Sequence, residues 1–236
     1  MSKNQYLYRR RDHYREELDA LMAYPVEEFV EAVCDIGFGC DCCTRCCTRA
    51  FNDHVFLLEE DAASALEMDP ASVLPAPYYE ACDQNGTFYV SGYALRARGD
   101  GSCIYLGDDG RCRIYDRRFS ICRIYPYMLH RETGEDGTYD WRLISGLDEH
   151  GTYHNPISRE EGRRIAKETI AYETAYLEQE IRFFTALAEY FEENALQHIR
   201  RTFDMTMREF EKGTEVRVRV FHQGQFFDHC VSNYDY

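Results

Sequence analysis

Residues 37–49 read GFGCDCCTRCCTR, and five cysteines fall between Cys40 and Cys47. Crowded thiols serve a disulfide scaffold, a redox-active pair or a metal site. The chain has 236 residues, 44% of them hydrophobic, enough for a core that needs no disulfide staples. Eleven cysteines is an odd number, which fits a complete disulfide framework poorly. No stretch approaches the roughly 20 apolar residues that span a bilayer. The opening MSKNQYLYRRRDHYREELDAL is charged and lacks the hydrophobic region of a signal peptide. The expectation is a cytoplasmic protein, away from the membrane, whose thiols are kept reduced. Disulfides are the weakest of the three readings.

A thioredoxin-like thiol pair needs a strand before it and a helix after it. Here a helix, VEEFVEAVCDI (26–36), delivers the chain into the cluster and stops at Gly37. The C-x3-C-x2-C of S-adenosylmethionine radical enzymes is absent, and so is the two-cluster ferredoxin spacing.

What the cluster contains is Cys40-x2-Cys43-x2-Cys46-Cys47, with Cys42 as an extra. Two-residue spacing lets one tight turn aim two sulfurs at a metal. Adjacent side chains diverge by about 100° in a helix and about 180° in a strand. The pair Cys46–Cys47 therefore predicts either two nearby sites or one multinuclear cluster. Downstream, GSCIYLGDDGRCRIYDRRFSICRIYP supplies Cys103, Cys112 and Cys122, with eight and nine residues between them. Such a Gly- and Asp-rich stretch packs poorly alone, and cross-linking through a metal is the usual remedy. Seven ligands are expected to converge: Cys40, Cys43, Cys46, Cys47, Cys103, Cys112 and Cys122. Seven is one short of two four-thiolate sites, so a site either recruits another ligand or keeps an open position. Cys34, on an apolar helix face, reads as a small buried hydrophobe, and Cys82 and Cys230 are isolated. His54, His130 and His154 are near the cluster in sequence only, and a surface or core role is expected for each.

The net charge of −15 opposes binding to nucleic acid. Arg9–Arg11 is followed at once by Asp12, Glu16 and Glu17 and reads as a solvated helix start. Arg113, Arg117, Arg118 and Arg123 surround the second cysteine group; offsetting thiolate charge is the simpler role, an anion site the sharper one.

Periodicity predicts an α+β fold: a cysteine-rich core of short strands and loops, flanked by N-terminal helices and a long C-terminal helical region. The expected divisions are 1–36 (helices), 37–157 (metal-binding domain) and 158–236 (helical region with a terminal strand), packed as one globular unit. Tyr14, Leu18, Leu21 and Met22 mark the buried face of a first helix, 8–23. HVFLL (54–58) and TFYVSGYAL (87–95) read as strands, EEDAASALEM (59–68) as a helix, and MDPASVLPAPYYEA as irregular. RETGEDGTYDW (131–141) reads as a hairpin tip. Ser158-x-x-Glu161 is a capping box opening a helix with an expected break near Glu193–Asn194. Its stripe from Ile165 to Phe191 reads as core, with a partner surface as the alternative. EVRVRVF (215–221) reads as a late strand at a sheet edge.

Cys40-x2-Cys43-x2-Cys46-Cys47, then Cys103-x8-Cys112-Arg-Ile-Tyr and Cys122-Arg-Ile-Tyr-Pro126, resembles the YkgJ-like cysteine-cluster family over roughly residues 37–160. That family is described as zinc- or iron-chelating, and some members are labelled iron–sulfur oxidoreductases. Two departures stand out. Arg118–Phe119 replaces the Arg-Pro common before the last cysteine, and a further cysteine often found near Ser145 is missing. The related lysine N-methylases of flagellins carry a similar cluster, but no S-adenosylmethionine fingerprint occurs here.

Three functions follow as expectations. The first is an iron–sulfur protein holding a [4Fe–4S] cluster in a redox or accessory, maturation role. The second is a structural zinc protein whose C-terminal helical region binds a protein partner. The third, more remote, is a metal-dependent enzyme with Asp108, Asp109, Arg111 or His130 beside an open coordination position.

Overall fold

The computed structural model describes residues 4–133, 139–143 and 149–236, with backbone alone for 130–133 and 139–143. The fold is α+β. Helix α1 (Gln5–Ala23) buries Leu7, Tyr14 and Leu21, which recur every seven residues. Met22, expected on that face, is 67% exposed, because it lies one residue past the Leu21 contact and rotates away. Pro25 caps α2 (Val26–Ile36), and Gly37 ends it with φ of 51°, the left-handed conformation that glycine adopts without penalty. After the cysteines come α3 (Arg49–Asn52), β1 (Phe56–Leu57) and α4 (Glu59–Met68). The proline-rich stretch expected to be irregular yields two short strands, β2 (Val73–Pro75) and β3 (Ala81–Cys82).

TFYVSGYAL is two strands rather than one: β4 (Phe88–Val90) and β5 (Tyr93–Leu95). They join different sheets, ordered β1-β5-β2 in one and β3-β4, with two later strands, in the other. The physical reason is the break at Ser91–Gly92, where a later helix inserts Gln179. Its Nε2 donates to the Ser91 carbonyl at 2.9 Å, and Oε1 accepts the Glu59 N–H at 2.9 Å. A Cβ on Gly92 would stand 2.8 Å from that Nε2, so a larger residue there would have to displace the Gln179 amide.

Helix α5 (Ser120–Ile124) follows, then the antiparallel pair β6 (Leu129–Thr133) and β7 (Tyr139–Leu143); the expected hairpin tip lies outside the described residues. Helix α6 (Arg159–Glu193) starts where the cap predicts, Ser158 Oγ accepting the Glu161 N–H at 3.1 Å, and ends at the expected break. Its stripe is core: Phe183, Phe184, Leu187, Ala188 and Phe191 are fully buried against α1, α2 and the sheet. Helix α7 (Arg200–Glu211) leads to β8 (Val216–His222) and β9 (Gln225–Val231). The second sheet runs β3-β4-β8-β9, with β4 and β8 parallel. The expected edge strand is therefore interior. QFFDHCV, unread as a strand because its alternation is broken, pairs along its whole length and takes the edge.

Two hydrophobic clusters divide the work. One joins α1, α2 and α6, and the other lies beneath β1, β2, β5 and the second cysteine group, with Cys103 and Cys122 packed on it.

Candidate metal centre

The first cysteine loop leaves α2 through Gly37 and is held from both sides. Gly39 and Thr152 exchange backbone hydrogen bonds of 2.7 and 2.9 Å. Cys46 and Cys47 sit in a 3-10 turn, Arg45–Cys47, entered through Thr44 at φ of 67°. From there Cys47 O accepts the Cys103 N–H at 2.8 Å, and Arg49 N donates to Gly101 O at 2.9 Å. The chain next makes narrow isolated bridges, Ala97 to Cys103 and Leu106 to Cys112. The Arg98 guanidinium ties them by donating to the carbonyls of Ile104 and Leu106, at 3.1 and 2.5 Å. Cys122 comes from α5, whose first N–H, at Ser120, donates to Asp61 Oδ2 on α4 at 2.9 Å. Three segments with long spacers thus reach one place.

That place is a cavity of about 590 Å³. Seven of the eleven cysteines line it: Cys40, Cys42, Cys46, Cys47, Cys103, Cys112 and Cys122. Phe38, Tyr105, Phe119, Ile121, Tyr125 and Met128 make much of the remaining wall. Six of the seven residues expected to converge are in it; Cys43 is exposed outside it, its N–H donating to Asp41 Oδ1 at 3.0 Å. Cys42, read as an extra, takes a place in the wall with φ of 60°.

The thiols of the cavity form one coupled set. Beyond burial, Cys47 disfavours ionisation of Cys103, Cys112 and Cys122, and Cys112 that of Cys103 and Cys122. Burial pushes Cys103 up to about 11 and Cys122 up to about 12, and it raises Cys112 as well. Arg118 acts in the opposite sense on Cys47, Cys112 and Cys122. Its guanidinium lies 3.9 Å from the Tyr115 ring centroid and bonds the Tyr115 carbonyl at 3.2 Å. Cys46 is coupled to both sides of the cavity, to Cys47, Cys40, Cys122 and Cys43. Cys46 is held low by the Cys47 thiol, and Cys47 is raised in turn. Cys40 Sγ accepts the amide N–H of Cys42 at 3.4 Å.

The sulfurs of Cys46 and Cys47 stand 3.9 Å apart. The expected divergence is not met, because the 3-10 turn brings the neighbouring side chains together. Four thiolates around zinc, with Zn–S of about 2.3 Å, place sulfurs about 3.8 Å apart, so adjacency alone does not select a multinuclear centre. As the side chains stand, no group of three or more His, Cys, Asp or Glu among the described residues could hold an ion. The donors are gathered in one cavity, and ligation would draw their loops closer.

His54 corrects its expected role: it lies in the cavity wall, where burial keeps its imidazole below the usual range. His154 does not reach the cavity; its Nδ1 faces the Asp35 carbonyl at 3.0 Å. Arg111 is in the wall, whereas Asp109 closes a turn by accepting the Arg111 N–H at 3.1 Å, and Asp108 is exposed. Arg123 bonds the Arg118 carbonyl at 2.7 Å, and Arg113 and Arg117 are exposed. The His130 side chain and Ser145 lie outside the described residues. Cys34 packs on Gly162, Cys82 is buried and pushed up to about 12, and Cys230 is exposed on β9; none joins the cavity. Sequence reasoning passed over His150, which is buried beside the first loop with Tyr125 OH 2.8 Å from its Nε2.

Residues 39–142 match the model of the CxxCxxCC family, described as "Putative zinc- or iron-chelating domain". It is the family that the cysteine spacing resembles, and the matched segment contains all seven thiols of the cavity. No curated protein and no solved structure matches the chain. No helix among the described residues is long and apolar enough to cross a membrane.

Proposed function

We propose that this metal-binding chain carries a [4Fe–4S] cluster on Cys47, Cys103, Cys112 and Cys122 and serves as a redox or accessory protein. The observation that carries this reading is the inner group: four thiols from three segments, ionising at mutual cost, in a cavity far larger than one ion and walled by aromatic and aliphatic side chains. Iron supplies the positive charge that such thiolates lack, and four cysteines are the usual ligand set for this cluster. The cluster, when bound, would supply one-electron redox chemistry. Phe38, Tyr105 and Phe119 would exclude water from it, Arg118 would offset thiolate charge, and the peptide N–H groups around the sulfurs would tune its potential.

Zinc is the second reading, favoured by the 3.9 Å sulfur pair. One preparation separates the two: protein purified without oxygen, its visible spectrum recorded, and iron, sulfide and zinc measured together. Matched iron and sulfide with thiolate–iron absorption supports the cluster. A colourless protein with stoichiometric zinc sinks it. A protein partner belongs to the same proposal. With the α6 stripe committed to the core, the apolar side chains left exposed for it in the C-terminal region include Met205 on α7, Phe227 on β9 and Tyr234.

A further inference from the structure

We infer that the arginine-rich rim of the cysteine cavity, Arg111, Arg113, Arg117 and Arg118 around Tyr115, is the docking surface for an acidic protein partner. The inference deepens the proposed function and rests on that reading for why a partner comes to the cavity at all.

Residues 111–118 read RCRIYDRR, four arginines against one acid in a chain of net charge −15. Arg111, Arg113 and Arg117 are exposed. Elsewhere the fold pairs many of its cations with carboxylates. Arg10 meets Glu80, Arg159 and Arg163 meet Glu27, Arg164 meets Glu161 and Glu168, and Arg219 meets Asp228. None of the four rim arginines forms an ion pair among the described residues. Of the nearby acids, Asp109 accepts the Arg111 backbone N–H at 3.1 Å, and Asp116 is exposed. Offsetting thiolate charge accounts for Arg118, which acts on Cys47, Cys112 and Cys122. Arg111 and Arg113 flank Cys112 in sequence, yet Arg118 is the cation that favours its thiolate. The remaining guanidinium groups face water, and their planar forks suit carboxylates, two hydrogen bonds at a time.

The fold gathers these charges at one border of the cavity. Arg111, Tyr115 and Arg118 all belong to its wall. The 3-10 turn Tyr115–Arg117 leaves the Tyr115 ring 55% exposed, with the Arg118 guanidinium over it at 3.9 Å from the centroid. Arg123 extends the rim by donating to the Arg118 carbonyl at 2.7 Å, although its charge also reaches the buried Asp61. Exposed tyrosine among arginines is the composition that concentrates binding energy at protein interfaces. Electrostatic complementarity then sets the partner's sign. A nucleic acid would carry its charge past this rim onto the acidic remainder of the chain, which repels it. A second copy, docking its own acidic face here, would make a heterologous contact that builds rings or filaments rather than one complex.

The test uses the full-length chain as purified and a fluorescein-labelled peptide rich in Asp and Glu, with anisotropy read across a salt series that includes physiological ionic strength. Wild type is expected to bind the peptide, and more weakly as salt rises. Arg111→Gln/Arg113→Gln/Arg117→Gln is expected to weaken binding about tenfold and to flatten the salt dependence, as the loss of three exposed ion pairs should. Arg159→Gln/Arg163→Gln/Arg164→Gln makes the same change in net charge on α6 and is expected to leave binding unchanged. Tyr115→Ala should weaken binding while keeping the salt dependence. If the rim variant fails to fold, phenylglyoxal modification of wild type, mapped by mass spectrometry, decides the matter: the peptide is expected to protect Arg111, Arg113 and Arg117. No binding, equal loss in the α6 variant, protection elsewhere, or tighter binding of a single-stranded oligonucleotide through the same arginines each overturns the inference. Iron and sulfide measured on the same sample judge the cluster separately. A zinc protein that binds the peptide sinks the cluster alone, and an iron–sulfur protein that ignores the peptide sinks the docking surface alone.

Discussion

Arg118 is where the chemistry of the inner thiols can be probed one side chain at a time. It is the cation that offsets Cys47, Cys112 and Cys122 together, and it replaces nothing in the ligand set. Arg118→Gln is expected to keep the fold and weaken zinc or iron loading by about tenfold, the equivalent of one pKa unit of thiolate stabilisation. Competition with a chromophoric chelator measures it, and unchanged affinity would return Arg118 to a packing role on Tyr115. Glu180 offers a second test, away from the metal. It is 2% exposed on α6, takes a hydrogen bond from Ser91 Oγ, and has an unpartnered Oε2. Burial raises its carboxyl from 4.5 to about 8. The folded state thus binds this proton more tightly than the unfolded chain does. The stability it contributes is full below pH about 4.5 and is lost as pH rises to about 8. Glu180→Gln keeps the shape and removes the titration. It is expected to match wild type near pH 4.5 and to exceed it at pH 8 by up to roughly 4 kcal/mol, read from denaturant midpoints. Parallel stability curves across that window would show that the carboxyl does not titrate there.

Among the elements, α6 organises the rest, and its start is the place to perturb it. Ser158→Ala removes the one side-chain cap on its N-terminus and should cost about 1 kcal/mol. Gly162, one turn in, has a sharper consequence. A Cβ there would stand 2.6 Å from Cys34 Sγ on α2. Gly162→Ala is expected to destabilise the wild-type chain despite alanine's better helix propensity. In a Cys34→Ala background the same change should stabilise by up to about 1 kcal/mol. Thermal melts of the four proteins close the cycle; additivity would mean that α2 and α6 do not touch there. The helix was legible because capping, 3.6-residue periodicity and absence of proline all agree over Arg159–Glu193. The strands were less legible. TFYVSGYAL carries one uninterrupted β signal, and only the arrival of Gln179 from α6 divides it between two sheets.

For the whole molecule, the two hydrophobic clusters imply two levels of stability. The helical one contains Leu7, Phe183, Leu187 and Phe191 and includes none of the cavity's thiols; the other is lined by Cys103 and Cys122. Metal removal is therefore expected to leave far-ultraviolet helical signal largely intact while loosening residues 97–118, whose backbone is held by isolated bridges and turns rather than by long helices or strands. Limited proteolysis with and without chelator reads this directly. Cleavage confined to that loop in the chelated sample is the expected result. Global digestion would mean that the metal holds up the whole core, and no change that the cysteines have no structural role.

The amino-acid sequence by itself determined the class of fold, the long capped helix and the chemistry of the cysteines, because these depend on local periodicity and on side-chain type. Thiols spaced by two residues are suited to a metal wherever the chain carries them. Only the tertiary structure decided which thiols share a cavity, since that depends on bridges between residues far apart, such as Cys103 N–H to Cys47 O and Thr48 to Ser102. It also put Cys42 at the cavity's exposed border, brought the Cys46 and Cys47 sulfurs to 3.9 Å, put His54 in the wall and left His150 buried with a nitrogen unpaired. A lone histidine followed by glycine carries no local pattern. Its meaning comes from the two strands of chain that enclose it, and those meet only when the fold closes.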